Sequence, residues 1–119
     1  MKSISITTLM IIASTLFGVD AEIANWGIIT ALAKGEFKEF HVNTDKAMKD
    51  AIPEHVFNDV SNKYESMLAE GHYAVHFMGT LKKGKHVVYL YKIQTDKSDD
   101  DILAQITLTE SKITGFFIN

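Results

Sequence analysis

The spacing of apolar residues along the chain changes once. From Glu22 to Lys34, Ile23, Trp26, Ile29 and Ala33 recur every three to four residues, with Ile28 and Leu32 beside them. That period predicts a helix with one broad apolar stripe, and Gly35 supplies its stop. In "NTDKAMKDAI", Asn43 or Thr44 is expected to cap a short helix, Asp45 suits its N-terminal end, and Pro53 closes it. Pro53 also opens a third helix, since a first-turn position loses nothing from a missing N–H. Its stripe is Val56, Phe57, Val60, Tyr64, Met67 and Leu68, and Gly71 ends it.

Beyond Gly71 the period becomes two. "HYAVHFMGT" sets Tyr73, Val75 and Phe77 on one face against His72, Ala74, His76 and Met78 on the other. Lys82, Lys83 and Gly84 make a polar hairpin turn, and "KHVVYLYKIQT" returns as a strand rich in β-branched and aromatic residues. "DKSDDD" reads as a loop, "ILAQITLT" as a third strand, Glu110 to Lys112 as a tight turn, and "ITGFFIN" as a closing fourth strand. A terminus carrying Ile113, Phe116, Phe117 and Ile118 is expected to be held by a neighbouring strand rather than to fray. Helices followed by a meander give an α+β architecture, with the helices packed on a curved four-stranded antiparallel sheet. The run Val87 to Leu90 is apolar on both faces, so something beyond one helical layer should cover this sheet.

Composition narrows the chemistry. The chain has 119 residues, no cysteine, and a net charge of -3 in which all 12 bases are lysine. Thiolate metal sites, thiol nucleophiles and disulfides are therefore excluded. A mildly acidic, arginine-free chain also lacks the bidentate phosphate chemistry of nucleic-acid binding. The opening "MKSISITTLMIIASTLFGVDA" has one lysine, an apolar run from Ile4 to Val19, and small residues at Val19 and Ala21. This is the layout of a secretory signal peptide, and the run is shorter than the ~20 residues that span a bilayer. The expected organisation is a leader over residues 1–21 and one periplasmic or secreted domain over 22–119, without a stable membrane anchor after cleavage. The competing reading is an uncleaved N-terminal anchor.

"LAKGEFKEF", "MKDAIPEH" and "KITGFF" resemble a family of small bacterial domains of unknown function. These domains are usually exported, are sometimes placed ahead of an α/β-hydrolase domain, and are assigned to the nuclear-transport-factor-2-like superfamily. The resemblance covers nearly all of residues 22–119 and implies a cone-shaped, cystatin-like sheet wrapped around helices. An aromatic that the family carries in the third helix would fall near Ser61, with Tyr64 in its place. Superfamily relatives include isomerases, dehydratases and pure binding modules, so the resemblance does not choose an activity.

No residue constellation supplies one either. His72 and His76, four apart on a strand, lie ~13 Å from one another, too far to share a metal. "DKSDDD" departs from a calcium loop where Asp101 and Thr107 stand in place of Gly and Glu. The lysines of "KKGK" read as a solubilising turn. No catalytic residue, metal ligand or cofactor is expected.

Trp26, Phe40, Tyr64 and Phe77 are expected to converge between helices and sheet as the lining of an apolar ligand pocket or as core. Tyr89, Leu90, Tyr91 and Met78 are the candidates for an interface on the sheet's far side. The reading that follows is an exported, non-enzymatic interaction module, homodimeric or bound to a partner protein or small apolar ligand. The alternative is a small cone-fold enzyme of isomerase or dehydratase type, built on tyrosine hydroxyls and an interior base, for which His76 is the only internal candidate. Export makes a direct prediction: protein from the cell envelope should begin at Glu22, and an intact mass retaining residues 1–21 would refute cleavage.

Overall fold

The computed structural model describes residues 21–119, so apart from Ala21 the expected leader lies outside the described residues. Helices α1 (Ala21–Lys34), α2 (Phe37–Phe40), α3 (Lys46–Ala51) and α4 (Glu54–Tyr64) precede strands β1 (Tyr73–Lys83), β2 (His86–Thr95), β3 (Ile102–Thr109) and β4 (Lys112–Ile118). The strands form one antiparallel meander in the order β1-β2-β3-β4, so the expected α+β architecture is the one observed. No helix among the described residues is long and apolar enough to cross a membrane.

Local chemistry sets the helix ends. Gly35, at φ +71°, closes α1. Its N–H bonds the Leu32 carbonyl and that of Glu36 bonds Ala31, two of the carbonyls that a helix end leaves orphaned. The Ser61 hydroxyl on α4 donates to the Leu32 carbonyl as well (2.9 Å), tying the two long helices together. The cap of α3 is Asp45, not Asn43 or Thr44: its carboxylate accepts the Met48 N–H at 2.9 Å. The single turn α2 lies in a stretch the apolar period did not mark. Helix α4 stops at Tyr64, short of Gly71, because the chain tightens there: the Glu65 N–H bonds Asn62, three residues back. Leu68 is nevertheless buried, as its place in the stripe required.

The first hairpin turns through Gly84 and Lys85, one residue later than expected, with Gly84 at φ +62°. The last turns through Glu110 and Ser111, and Glu110 holds the same left-handed conformation at φ +59° without a glycine's freedom. The tail is indeed a strand. Beyond its pairing with β3, the Asn119 N–H and C=O both bond Leu103, and on the outer side Ile113 bonds Asn43 and Asp45 in a short parallel bridge. Buried His41 fastens that bridge: its Nε2–H donates to the Ile52 carbonyl (2.8 Å), while Nδ1 meets the Thr44 hydroxyl (2.7 Å).

One sheet face packs on the helices. Tyr91, Ile93, Ala104, Ile106, Leu108 and Ile113 are buried there against Ile28, Ile29, Leu32, Phe40 and Phe57. The buried face of α1 is Ala24, Asn25, Ile28, Ile29, Ala31 and Leu32, rotated by about one residue from the expected stripe, and Ile23 and Trp26 point outward. The reason is polar. Asn25 is fully buried and its Nδ2–H donates to the Tyr91 hydroxyl oxygen at 2.8 Å. A buried amide left unbonded would cost more than exposing Ile23.

Tyr91→Phe leaves the whole Asn25 amide unpaired and should cost ~1–3 kcal/mol in urea unfolding, whereas adding Asn25→Leu should recover much of the loss. Burial chiefly pushes the Tyr91 hydroxyl up from 10.0 to about 12. Its contribution to stability is therefore complete below pH 10, is lost as pH rises from there through about 12, and disappears from the profile of Tyr91→Phe. Glu110→Gly should raise stability by about 1 kcal/mol by relieving the left-handed backbone, and an unchanged melting temperature would contradict this.

Candidate functional site

Cross-strand register fixes what the other sheet face presents. Tyr91 and Ile93 are buried, so Leu90 and Lys92 point away from the helices, and Tyr89, two residues from Tyr91, lies on the helix side. Pairing extends this alternation across the sheet. Leu81 stands opposite Val88, Gln105 lies between Leu90 and Phe117, and Leu103 stands opposite Lys92. Leu81, Leu103 and Phe117 are 50%, 38% and 49% exposed, and Val88 and Leu90 are half-buried by their neighbours. None of the side chains buried against the helices comes from this face.

The middle of the face therefore holds five apolar side chains with neutral Gln105 and Thr107 among them. Of its charged or ionisable groups, His76, Lys83, His86 and Lys112 stand toward its ends, and Lys92 stands beside the apolar group, opposite Leu103. Gly115 keeps the centre low, because a Cβ there would come within 3.2 Å of Thr107 on the neighbouring strand. An apolar centre with a polar rim is the anatomy of a protein–protein contact.

Of the four residues expected at this surface, Leu90 faces outward. Met78 is the unpaired residue of a β-bulge between Phe77 and Gly79 and is 60% exposed. Tyr91 is buried against α1 and takes no part in the outer face, and Tyr89 points to the helix side. Leu81, Leu103 and Phe117 were missed. Strict alternation along β3 marks Leu103, but the bulge at Met78 and a second at Thr114 shift the register before Leu81 and Phe117, and a strict period of two does not see them.

The four aromatic residues expected to converge do not all meet. Phe40 and Tyr64 line one half-open cleft of about 250 Å³ between α4 and β4, with Phe57, Phe116 and Ile118. Trp26, 44% exposed, lines a larger cleft of about 680 Å³ with Thr30, Leu68, Tyr73 and Val75, where the outward side of α1 meets the start of β1. Phe77 lines neither; its ring sits 5.7 Å from Tyr91 and 6.3 Å from Tyr89, over half exposed. The centre between sheet and helices is filled.

The titratable groups offer little catalytic geometry. Tyr91 is buried in packed core. The Tyr73 hydroxyl, raised mainly by burial and hydrogen-bonded to Thr30, borders the larger cleft, whose acids Glu65 and Glu70 are exposed at its rim. His76 lies on the outer face, and His72 is an exposed partner of Asp96 at 2.9 Å. Among the described residues no group of three or more acidic or histidine side chains could hold a metal ion.

No family model and no curated protein matches this chain. Among solved structures, it is similar to an NTF2-like protein of unknown function from Cytophaga hutchinsonii, with a TM-score of 0.47 and 14% sequence identity over 85% of this chain and 89% of the other.

Proposed function

We propose that this chain is an exported, non-enzymatic interaction module that works as a homodimer through the outer face of its sheet. The export reading rests on the leader-like opening sequence and on the stretches that resemble exported bacterial domains. The interaction reading rests on one observation: Leu81, Val88, Leu90, Leu103 and Phe117 form an apolar surface that nothing in the described chain covers. A contiguous apolar surface rimmed by polar groups is a common mark of a protein–protein contact. Two copies of one sheet can bury it about a two-fold axis, since a single self-complementary patch suffices.

The enzymatic alternative needs an ionisable group with a shifted pKa inside an open cavity. Tyr91 is shifted but enclosed, and Tyr73 borders a cleft without an interior base beside it. A second binding reading is favoured by one specific feature, the meeting of Phe40 and Tyr64 in the apolar cleft of about 250 Å³, which is sized for a small apolar ligand or the side chain of a partner.

Sedimentation equilibrium at micromolar concentration should give an assembly of at least twice the mature mass. Leu90→Glu places a carboxylate at the centre of the contact and should abolish that association without changing the melting transition of the monomer. A wild-type protein that sediments only as a monomer would remove the homodimer and leave the face to a different protein.

A further inference from the structure

The two edges of the sheet are treated differently. Along β4, the segment Asn43–Asp45 supplies backbone partners to Ile113. Along β1, no strand or bridge lies on the outer side among the described residues, although β1 is the longest strand, at 11 residues. Such an edge presents a row of unpaired N–H and C=O groups. Its second half is blunted by the bulge at Met78 and by Lys82 and Lys83, both familiar protections against pairing. Its first half, Tyr73 to Phe77, is regular and bare, and on its helix side Tyr73, Val75 and the exposed Phe77 follow one another at alternate positions.

Charge is also distributed unevenly along this edge. Glu65 and Glu70 lie before the root of β1, and Lys82, Lys83 and Lys85 lie at its tip. None of these five is in an ion pair among the described residues. A strand that added to this edge in antiparallel sense would satisfy both ends if it ran, N to C, from acidic through alternating apolar to basic. β1 itself has that order. We propose that the β1 edges of two copies pair antiparallel about a two-fold axis at Val75, joining their sheets into one of eight strands.

In this register Tyr73 of one copy stands opposite Phe77 of the other, so each exposed Phe77 gains an aromatic cross-strand neighbour. Ala74 stands opposite His76, and the bulges fall just outside the paired stretch. Glu70 of each copy comes beside the lysine-bearing tip of the other, whereas a parallel arrangement would bring like charges together. The surface used is separate from the outer sheet face, so this contact stands or falls independently of the face-to-face dimer.

The absence of cysteine makes the test clean. Opposed residues of an antiparallel pair have Cα atoms about 4.5–5.5 Å apart, within the reach of a disulfide. In the full mature chain, Val75→Cys should therefore oxidise to a covalent dimer, whereas Lys85→Cys, exposed at the tip and far from its own counterpart, should remain monomeric in denaturing electrophoresis. Cross-linking that is absent at Val75→Cys, or equal in the two variants, overturns the edge pairing.

Charge gives a second readout that leaves the core untouched. Lys82→Glu with Lys83→Glu should weaken self-association several-fold, and mixing that variant with Glu65→Lys/Glu70→Lys should restore it as a heterodimer; no recovery on mixing also counts against the proposal. The face-to-face reading is separated by Leu90→Glu. Val75 cross-linking that survives Leu90→Glu supports the edge contact alone. An assembly lost with Leu90→Glu and indifferent to the charge exchange supports the face alone and excludes the edge.

Discussion

The hydrogen bond from Asn25 to Tyr91 fixes how the helical layer meets the sheet. An asparagine in a helix stripe otherwise made of isoleucine, leucine and alanine can be buried only beside a polar partner, and the Tyr91 hydroxyl at 2.8 Å is that partner. Once Asn25 faces inward, Ala24, Ile28 and Leu32 follow it and Ile23 and Trp26 must turn out. Once Tyr91 faces inward, alternation sends Leu90 outward, and register carries that choice to Phe117 and Leu103. One polar contact thus sets both what the core contains and what the far face displays. The remaining Asn25 oxygen has no hydrogen-bond partner among the described residues, so the contact gives positional specificity at some expense in stability.

The rest of the domain is secured by satisfying backbone groups where elements end. Ser61 reaches the carbonyl end of α1, and Asp45 caps α3 while its own N–H bonds β4. His41 braces the loop that carries both Thr44 and Asp45. The bonds from Asn43 and Asp45 pin the start of β4 at Ile113, and pairing with β3 holds the rest of the closing strand. The β1 edge has no such seal, and the sheet's outer face has no helices.

The histidines lie on the outer surface or, like His41, brace a loop. Of the two buried tyrosines, Tyr91 sits in the core and Tyr64 lines the smaller cleft, and the acids near the larger cleft stand at the rim. Phe40 and Tyr64 line a modest apolar cleft, and the outer surface around Leu90 leaves Leu81, Leu103 and Phe117 exposed.

By itself the sequence determined the order of the longer elements, the change of period at Gly71, the helix stop at Gly35, the meander, and the closing role of the tail. These follow from local rules: glycine at positive φ, proline at a helix start, and the periods 3.6 and two. It also implied that both sheet faces are apolar, from Val87 to Leu90. Tertiary structure alone decided which side of α1 is buried, because periodicity treats Asn25 as polar and cannot know that Tyr91, 66 residues away, will accept its hydrogen bond. It alone separated Trp26 and Phe77 from Phe40 and Tyr64, and it alone assembled the outer face, since two bulges each add one residue that no strict alternation can count. Local periodicity specifies elements, whereas the partner of a buried polar group and the register of a bulged strand exist only once distant segments have met.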